Sequence, residues 1–163
     1  MDMTKTYLNG YGWLYIMAII DRYDRSIVGY EISSRARATE WLAAFDKAVK
    51  NRFPEGTRDQ GLILQVDNGC QPTSRKFVKE LSTCDVTLLY SAYATPEHNA
   101  HIERFFRTLK EEELYYNLYE TYSEAITSIK AYINFYNNHR IHSALGYLTP
   151  AEYYQQSILQ NVA

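Results

Sequence analysis

Residues 96–115 read PEHNAHIERFFRTLKEEELY, and the interpretation of the whole chain starts from this stretch. Proline suits the first position of a helix because its φ angle is already close to helical. Apolar residues then recur with the i, i+3, i+4, i+7 spacing of one helical face, at Ile102, Phe105, Phe106 and Leu109. The stretch is therefore predicted to be an amphipathic helix.

A second stripe of this predicted helix is charged. Glu103, Arg107 and Lys110 recur at i, i+4, i+7, which places them on one line beside the apolar face. A carboxylate can hold a metal ion and cations can hold phosphates, and phosphoryl transfer on DNA requires both. The same pattern fits an ordinary surface helix with a Glu–Arg pair one turn apart. The helix alone does not decide between these interpretations.

Composition limits the class of protein. A chain of 163 residues with 46% hydrophobic and 22% charged residues predicts one domain with a proper core. The net charge of −2 gives little support for a nucleic-acid partner, although a local basic stripe can outweigh it. The two cysteines, Cys70 and Cys84, allow neither a disulfide framework nor a Cys-x-x-Cys zinc site, and they favour a reducing compartment.

Membrane insertion and secretion are not expected. The apolar run from Gly12 to Ile20 is much shorter than the roughly 18 residues that cross a bilayer. It is not preceded by the basic region and cleavage site of a signal peptide. We expect a cytoplasmic protein.

Local patterns predict strands alternating with helices. Segments rich in β-prone residues predict strands over residues 1–8, 13–20, 26–33, 62–66 and 86–90. The first three are joined by short turns and predict an antiparallel meander, and the last two would pair in parallel through right-handed crossovers. Helices are predicted from a Thr39 cap to about Arg52, over residues 74–81 and 96–115, from a Thr121-x-x-Glu124 capping box, and from Pro150.

Three acidic residues lie where separate predicted elements can converge. Asp2 is on the first strand, Asp67 ends the fourth strand and Glu103 is on the helix. If the first and fourth strands are adjacent and parallel, Asp2 and Asp67 meet at one edge, and the helix can add Glu103. Two-metal phosphoryl transfer needs such converging carboxylates, because Mg²⁺ prefers oxygen ligands.

Simpler interpretations of these acids remain open. Asp67 in Asp-Asn-Gly could be a turn residue, and Asp2 could belong to a frayed terminus. Asp21 is a rival for the first metal ligand, but it lies in a polar turn at the wrong end of the second strand.

Taken together, these motifs resemble those of a known family. Thirty-five residues lie between Asp67 and Glu103, which is the D,D-35-E spacing of retroviral-type integrases and of the insertion-sequence transposases that share their catalytic core. The chain resembles the catalytic subunit of IS-three-type transposases over essentially its whole length. The matching motifs are DMT (2–4), WLY (13–15), IDRYDRSIVGY (20–30), DNG (67–69), NAHIERFFRTLK (99–110), YNNHRIHSALGY (136–147) and TP (149–150).

The resemblance implies a ribonuclease-H-like α/β fold. Its five-stranded mixed sheet would combine the antiparallel meander with two parallel strands, flanked by helices. One integrase or transposase catalytic core domain would cover residues 1–163, with the core over about 1–120 and a helical extension over about 121–163. The upstream helix-turn-helix part of the family is not expected in this chain, and only Met1 precedes Asp2.

The resemblance also implies an activity, DNA transposition. The enzyme would hydrolyse a phosphodiester at the element's end and transfer the freed strand to target DNA. Asp2, Asp67 and Glu103 would be the catalytic and metal-binding triad, with Mg²⁺ or Mn²⁺ as cofactor and two ions expected with substrate. Lys110 would contact the end DNA. The expected partners are element ends, target DNA and a second copy of the chain in a dimer, acting at a prokaryotic nucleoid.

Several further residues are candidate DNA contacts. Phosphate contacts or positions at the active-site edge are expected for Arg107, Arg104, His101, Asn99 and Arg140. The histidine pairs 98/101 and 139/142 also fit a zinc site, but neither cysteine has the matching spacing. Tyrosines such as Tyr115 and Tyr116 could stack on unpaired bases or fill half-buried seams.

Two other functions remain open at this stage. A non-catalytic transposase remnant would bind DNA or partner subunits and cleave nothing. A ribonuclease-H-type nuclease would cut the RNA strand of a hybrid and join nothing. A nicking assay with divalent ions separates these alternatives.

Overall fold

The computed structural model of the chain describes residues 1–69, 71–91 and 99–162. The strands in these ranges are β1 (Asp2–Leu8), β2 (Gly12–Ile20), β3 (Ile27–Ser33), β4 (Ile63–Val66) and β5 (Thr87–Tyr90). The α-helices are α1 (Ala38–Arg52), α2 (Arg75–Thr83), α3 (Ala100–Leu109), α4 (Tyr122–Asn138) and α5 (Pro150–Val162). A π-helical turn (Lys110–Leu114) continues α3, and a 3₁₀ turn (Ser143–Leu145) precedes α5.

The strands form the predicted meander and the predicted parallel pair, but as a three-stranded and a two-stranded sheet and not as the single five-stranded mixed sheet that the resemblance implies. β1, β2 and β3 are antiparallel neighbours in that order, and Asp2 lies opposite Ala18. β4 and β5 are parallel, with Ile63 opposite Thr87. The ammonium group of Met1 donates a hydrogen bond of 2.7 Å to the carbonyl of Gln65, so the start of β1 lies against β4.

Strand β2 lies at the centre of the molecule and is covered on both faces. Leu14, Ile16 and Ala18 belong to a core shared with α3 and α4. The alternate residues Met17 and Ile19 pack in a second core with α1 and α2. Side chains alternate between the faces of a strand, so burial of both faces explains why β2 is almost continuously apolar.

Helix α3 buries the predicted apolar face. Its four apolar residues are at most 5% exposed, and they are Ile102, Phe105, Phe106 and Leu109. The expected start at Pro96 lies outside the described residues. Beyond Leu109 the prediction of a continuous α-helix to Tyr115 is wrong, because the Tyr115 N–H bonds to the carbonyl of Lys110 in an i→i+5 pattern.

One helix start and one helix length differ from the prediction. Helix α1 is capped at Arg37 and not at Thr39, because the Glu40 carboxylate accepts the Arg37 N–H at 2.7 Å. Helix α5 was expected to be short but has 13 residues. The expected Thr121 cap of α4 is confirmed, since its hydroxyl accepts the N–H of Glu124 at 3.1 Å.

Helix α1 approaches β3 closely at Gly29. A Cβ atom added there would lie 2.3 Å from the carbonyl oxygen of Ala44, so no larger residue fits without movement of the helix. None of the helices in the described ranges has both the length and the apolar character needed to cross a bilayer.

Candidate active site

A cavity of about 350 Å³ lies along α3, beside the start of β1. We term it the α3 cleft, and it is lined by Asp2, Glu103, Arg107, Lys110 and Tyr115 among others. Four residues predicted from the sequence to act on DNA or metal are thus brought together, although β1 and α3 are about 100 residues apart in the chain.

Asp2 is half-buried at the edge of the sheet. The N–H of Met3 donates to its carboxylate at 2.7 Å. Burial raises the pKa of Asp2 above the ordinary value, and the negative charges of Asp67 and Glu103 raise it further. Asp67 and Glu103 therefore both lie within electrostatic reach of Asp2.

Asp67 ends β4 in a tight turn. Its carboxylate accepts the N–H of Gly69 at 3.0 Å, as the turn interpretation of Asp-Asn-Gly predicts. The amide of Asn68 donates to the carbonyl of Ser91 at 2.8 Å, which ties this turn to the end of β5. The turn holds Asp67 near Asp2. Asp67 can therefore be a turn residue and also lie beside the candidate site.

The charged stripe of α3 is not internally paired. Glu103 is exposed, and within the described ranges neither it nor Arg107 or Lys110 forms an ion pair or a side-chain hydrogen bond. The Glu–Arg pair expected of an ordinary surface helix is therefore not formed.

The ammonium of Met1 lies close to Asp2 and Asp67 at the sheet edge. Burial lowers its pKa to about 6, although the negative charges of Asp2 and Asp67 act to raise that pKa. Near neutral pH this amine is therefore mostly uncharged.

The donor set of the site fits a hard divalent cation. The charges of Asp67 in a turn and of Glu103 on a helix act on Asp2 at the start of a strand, and a bound cation would relieve that repulsion. Within the part of the chain that the structure describes, no three His, Cys, Asp or Glu side chains are already close enough to hold a metal together.

The other predicted DNA contacts lie away from the cleft. The Asn99 side chain accepts the hydroxyl of Ser91 at 3.3 Å. Arg140 binds Glu112 through two nitrogen atoms, at 2.7 to 3.1 Å. Burial first, and then the charges of Arg25, Arg22 and Arg104, lower the pKa of His101.

Residues that the sequence left ambiguous are placed by the structure. Asp21 accepts the N–H of Tyr23 at 2.9 Å and belongs to the β2–β3 turn, outside the α3 cleft. His142 packs edge-on against Tyr136, with ring centroids 4.9 Å apart. Cys70 and His98 lie outside the described residues.

The sequence analysis did not identify the role of two arginines in the β2–β3 turn. Arg22 and Arg25 lie near His101 and Arg104 of α3. Their signal was present in the sequence as two arginines in the polar turn DRYDR, but nothing local indicates that this turn contacts α3.

The sheet order, the two helical layers and the carboxylates at the sheet edge define a ribonuclease-H-like fold. Solved structures support this assignment. The catalytic core domain of BIV integrase has a TM-score of 0.68 at 19% identity, covering 99% of this chain and 97% of that one. The HTLV-2 integrase catalytic core domain in complex with magnesium has a TM-score of 0.67 at 15% identity, covering 93% and 90%. The predicted fold class is confirmed.

Comparison with protein-family models assigns the chain to a family. A family described as Integrase core domain matches residues 1–96, and a second one with the same description matches residues 84–150. The protein belongs to the integrase core domain family.

Curated relatives are transposases of insertion sequences. The transposase for insertion sequence element IS904 of Lactococcus lactis subsp. lactis is 34% identical over 143 residues, covering 87% of this chain and 55% of that protein. Transposase InsF for insertion sequence IS3fB of Escherichia coli is 29% identical over 148 residues, covering 90% and 50%. The chain thus spans about half the length of these relatives, and the predicted resemblance to IS-three-type transposases is confirmed.

Proposed function

We propose that this chain is the catalytic core of a DNA transposase, with Asp2, Asp67 and Glu103 as the metal-binding and catalytic triad. The observation that carries the proposal is the electrostatic coupling of Asp2 to both other carboxylates, beside a cleft that also contains Arg107 and Lys110. Relatives named as transposases support the reaction. The HTLV-2 integrase core in complex with magnesium supports Mg²⁺ or Mn²⁺ as the cofactor.

Each group would have a distinct task. Two ions held by the triad would position the attacking and leaving oxygens and make water or a hydroxyl a better nucleophile. Lys110 lies seven residues past Glu103, about 10.5 Å along the helix axis, and can hold a phosphate next to the scissile one. Arg107 lies between them and can hold another phosphate oxygen.

The proposed reaction has two balanced steps. In the first, the oxygen of a water bonds to phosphorus at the element's end, the bond to the 3′ oxygen breaks, and that oxygen takes a proton. In the second, the new 3′-hydroxyl bonds to a phosphorus of target DNA, loses its proton, and displaces the 3′ oxygen of the target strand. No covalent enzyme intermediate is required.

Assembly and location follow from the same proposal. The HTLV-2 integrase core has been solved in dimeric and trimeric forms. We propose a homodimer of this chain that acts on DNA at the nucleoid, with Asn99 and Arg140 as further phosphate contacts. Release of Arg140 from Glu112 would be needed for that role.

A nicking and joining assay with end-containing DNA tests the function. With Mn²⁺ the parent chain should nick DNA, and Glu103→Gln should bind DNA as the parent does but lose about 10³-fold in cleavage. Lys110→Ala should weaken DNA binding and lower the salt slope by about one ion. Glu111→Gln is the matched control, because Glu111 also lines the cleft but is not in the triad.

The alternatives give different results in the same assay. DNA binding without cleavage in any divalent ion would identify a non-catalytic remnant. Cleavage of the RNA strand of a hybrid without joining would identify a ribonuclease-H-type nuclease. Cleavage by Glu103→Gln at the parent's rate would remove Glu103 from the triad.

A further inference from the structure

We propose that Arg22, Arg25, His101 and Arg104 form a second DNA-binding surface, which holds the phosphate backbone of a duplex other than the one in the α3 cleft. We term this surface the arginine patch. The inference rests on the proposed function, since a transposase must hold two DNA segments when it joins one to the other.

The patch and the cleft lie on different flanks of α3. Successive residues of an α-helix are 100° apart around the axis, so Arg104 lies about 100° and His101 about 160° from Glu103. Neither Arg104 nor His101 lines the α3 cleft. Instead, His101 lines a separate cavity of about 390 Å³ together with Arg22.

Residues from distant parts of the chain converge at the patch. Arg22 and Arg25 come from the β2–β3 turn, and the charges of both act on His101 together with that of Arg104. The charges of Arg25 and Arg104 also act on the phenol of Tyr136 in α4. The cations therefore belong to one surface, made by the turn and by α3.

The β2–β3 turn is held rigidly against the helices. The side chain of Asn137 in α4 accepts the Ile27 N–H at 2.8 Å and donates to the Ile27 carbonyl at 2.9 Å. Asp24 in the same turn is fully buried and accepts Arg52 at 2.5 Å. The backbone that carries Arg22 and Arg25 is thus positioned before any ligand arrives, which lowers the entropy cost of binding.

The arginines of the patch form no ion pair with the residues that the structure describes. Both turn arginines donate to neutral oxygens. Arg22 donates to the side-chain oxygen of Gln65 at 3.0 Å, and Arg25 donates to the backbone carbonyl of Arg22. No ion pair to Arg22, Arg25 or Arg104 is found over residues 1–69, 71–91 and 99–162. The two acids of the turn, Asp21 and Asp24, both face Arg52.

Phosphate is the anion that fits this arrangement best. Guanidinium groups present a planar fork of donors that matches phosphate oxygens. Neighbouring cations repel one another, and binding one polyanion together relieves that repulsion. The whole chain has a net charge of −2, so three unpaired arginines on one surface are a local exception. A duplex backbone offers phosphates at regular spacing across the turn and the helix.

The test counts duplexes bound per chain. Calorimetric titration of the full chain with a duplex of about one helical turn should give two sites for the parent. Arg25→Gln with Arg104→Gln should leave one site and lower the salt slope by about two. Arg107→Gln with Lys110→Ala should also leave one site, and the two pairs together should leave none. Lys130→Gln, an exposed α4 cation without an ion pair, is the matched control and should keep both sites.

Each outcome separates the patch from the proposed function. If the Arg25 and Arg104 variant keeps the parent's stoichiometry and salt slope while the cleft variant loses a site, the patch is not a DNA site and the cleft assignment stands. A patch variant that binds one duplex but still joins ends to target DNA at the parent's rate also overturns the inference. Absence of DNA binding by the parent overturns both proposals.

Discussion

Two groups of acidic residues in this molecule differ in how they are compensated. Asp24 is 0% exposed, yet it accepts hydrogen bonds from the Ser26 N–H, the Ser26 hydroxyl and Arg52 at 2.5 to 2.8 Å. Glu112 is likewise bound by Arg140 and by the hydroxyl of Tyr132 at 2.7 Å. At the α3 cleft, Asp2 and Glu103 have no cationic side chain as a partner among the described residues.

The difference separates acidic residues that stabilise the fold from acidic residues that lie at a candidate ligand site. A buried charge is tolerated only when it is paired and hydrogen-bonded, and Asp24 meets that requirement within the protein. Carboxylates that repel one another at a cleft lower stability unless a cation binds, which is typical of functional sites. Substitution should therefore cost stability in the first group and activity in the second.

The largest effect on stability is expected at the buried pair. Arg52→Met should lower the free energy of unfolding by about 3–5 kcal/mol, because it leaves the carboxylate of Asp24 buried and unpaired. Chemical denaturation at pH 7 measures this. The double variant Asp24→Asn with Arg52→Met should recover part of the loss. A loss below about 1 kcal/mol for Arg52→Met alone would show that Asp24 is not held as a buried charge.

The next effect concerns the amine beside the unpaired carboxylates. The pKa of the Met1 ammonium is lowered to about 6 from 8.0 in the unfolded chain. Between these values the unfolded state binds more protons, so stability should rise by about 2–3 kcal/mol from pH 6 to pH 8. Denaturation midpoints across this range measure the rise.

The matched control for this pH dependence is the N-terminally acetylated chain. Acetylation removes the titrating charge and keeps an N–H donor. Histidines with lowered pKa values, His101 and His142, contribute mainly below pH 6.5 and act equally in both chains. An equal rise in the acetylated chain would place the titrating group elsewhere.

A smaller effect is expected at the partly exposed pair of the first group. Glu112→Gln should cost about 1–2 kcal/mol, because Arg140 and Tyr132 lose a charged acceptor while the pair of Glu112 and Arg140 is partly exposed to water. Its neighbour Glu111 is exposed and forms no side-chain hydrogen bond or ion pair within the described residues, so Glu111→Gln should change stability by less than about 0.5 kcal/mol. Equal losses for both would remove the distinction between paired and unpaired acids.

The sequence predicts the local features of the molecule well. The apolar face of α3, the meander and the parallel pair follow from periodicity and turn residues, and the structure has all of them. The assignment of Asp2, Asp67 and Glu103 as a triad came from their spacing and the family resemblance. The structure places their charges near one another, and their catalytic role stays a prediction.

Pairings between distant elements could not be predicted. Asp24 and Arg52 are 28 residues apart, as are Glu112 and Arg140, and residue type alone does not name a partner. Arg140 was expected to contact DNA phosphates. Nothing in the neighbouring sequence indicates its bond to Glu112. The π-helical turn and the Arg37 cap also depend on tertiary packing, which overrides local preference near helix ends.

Substitution of Asp67 should change stability least when no metal is present. When metal is present, it should remove the stability gain that the parent shows. Asp67→Asn keeps an oxygen for the Gly69 N–H and removes one of the charges that raise the pKa of Asp2. Without metal its stability should lie within about 0.5 kcal/mol of the parent. With Mn²⁺ at 100 times its dissociation constant, the parent should gain about 2.7 kcal/mol and Asp67→Asn should gain almost nothing. Thermal unfolding with and without Mn²⁺ measures both, and Glu111→Gln should respond as the parent does. Equal gains in Asp67→Asn and the parent would mean that the ions bind elsewhere, and the unpaired acids at the cleft would then need another explanation.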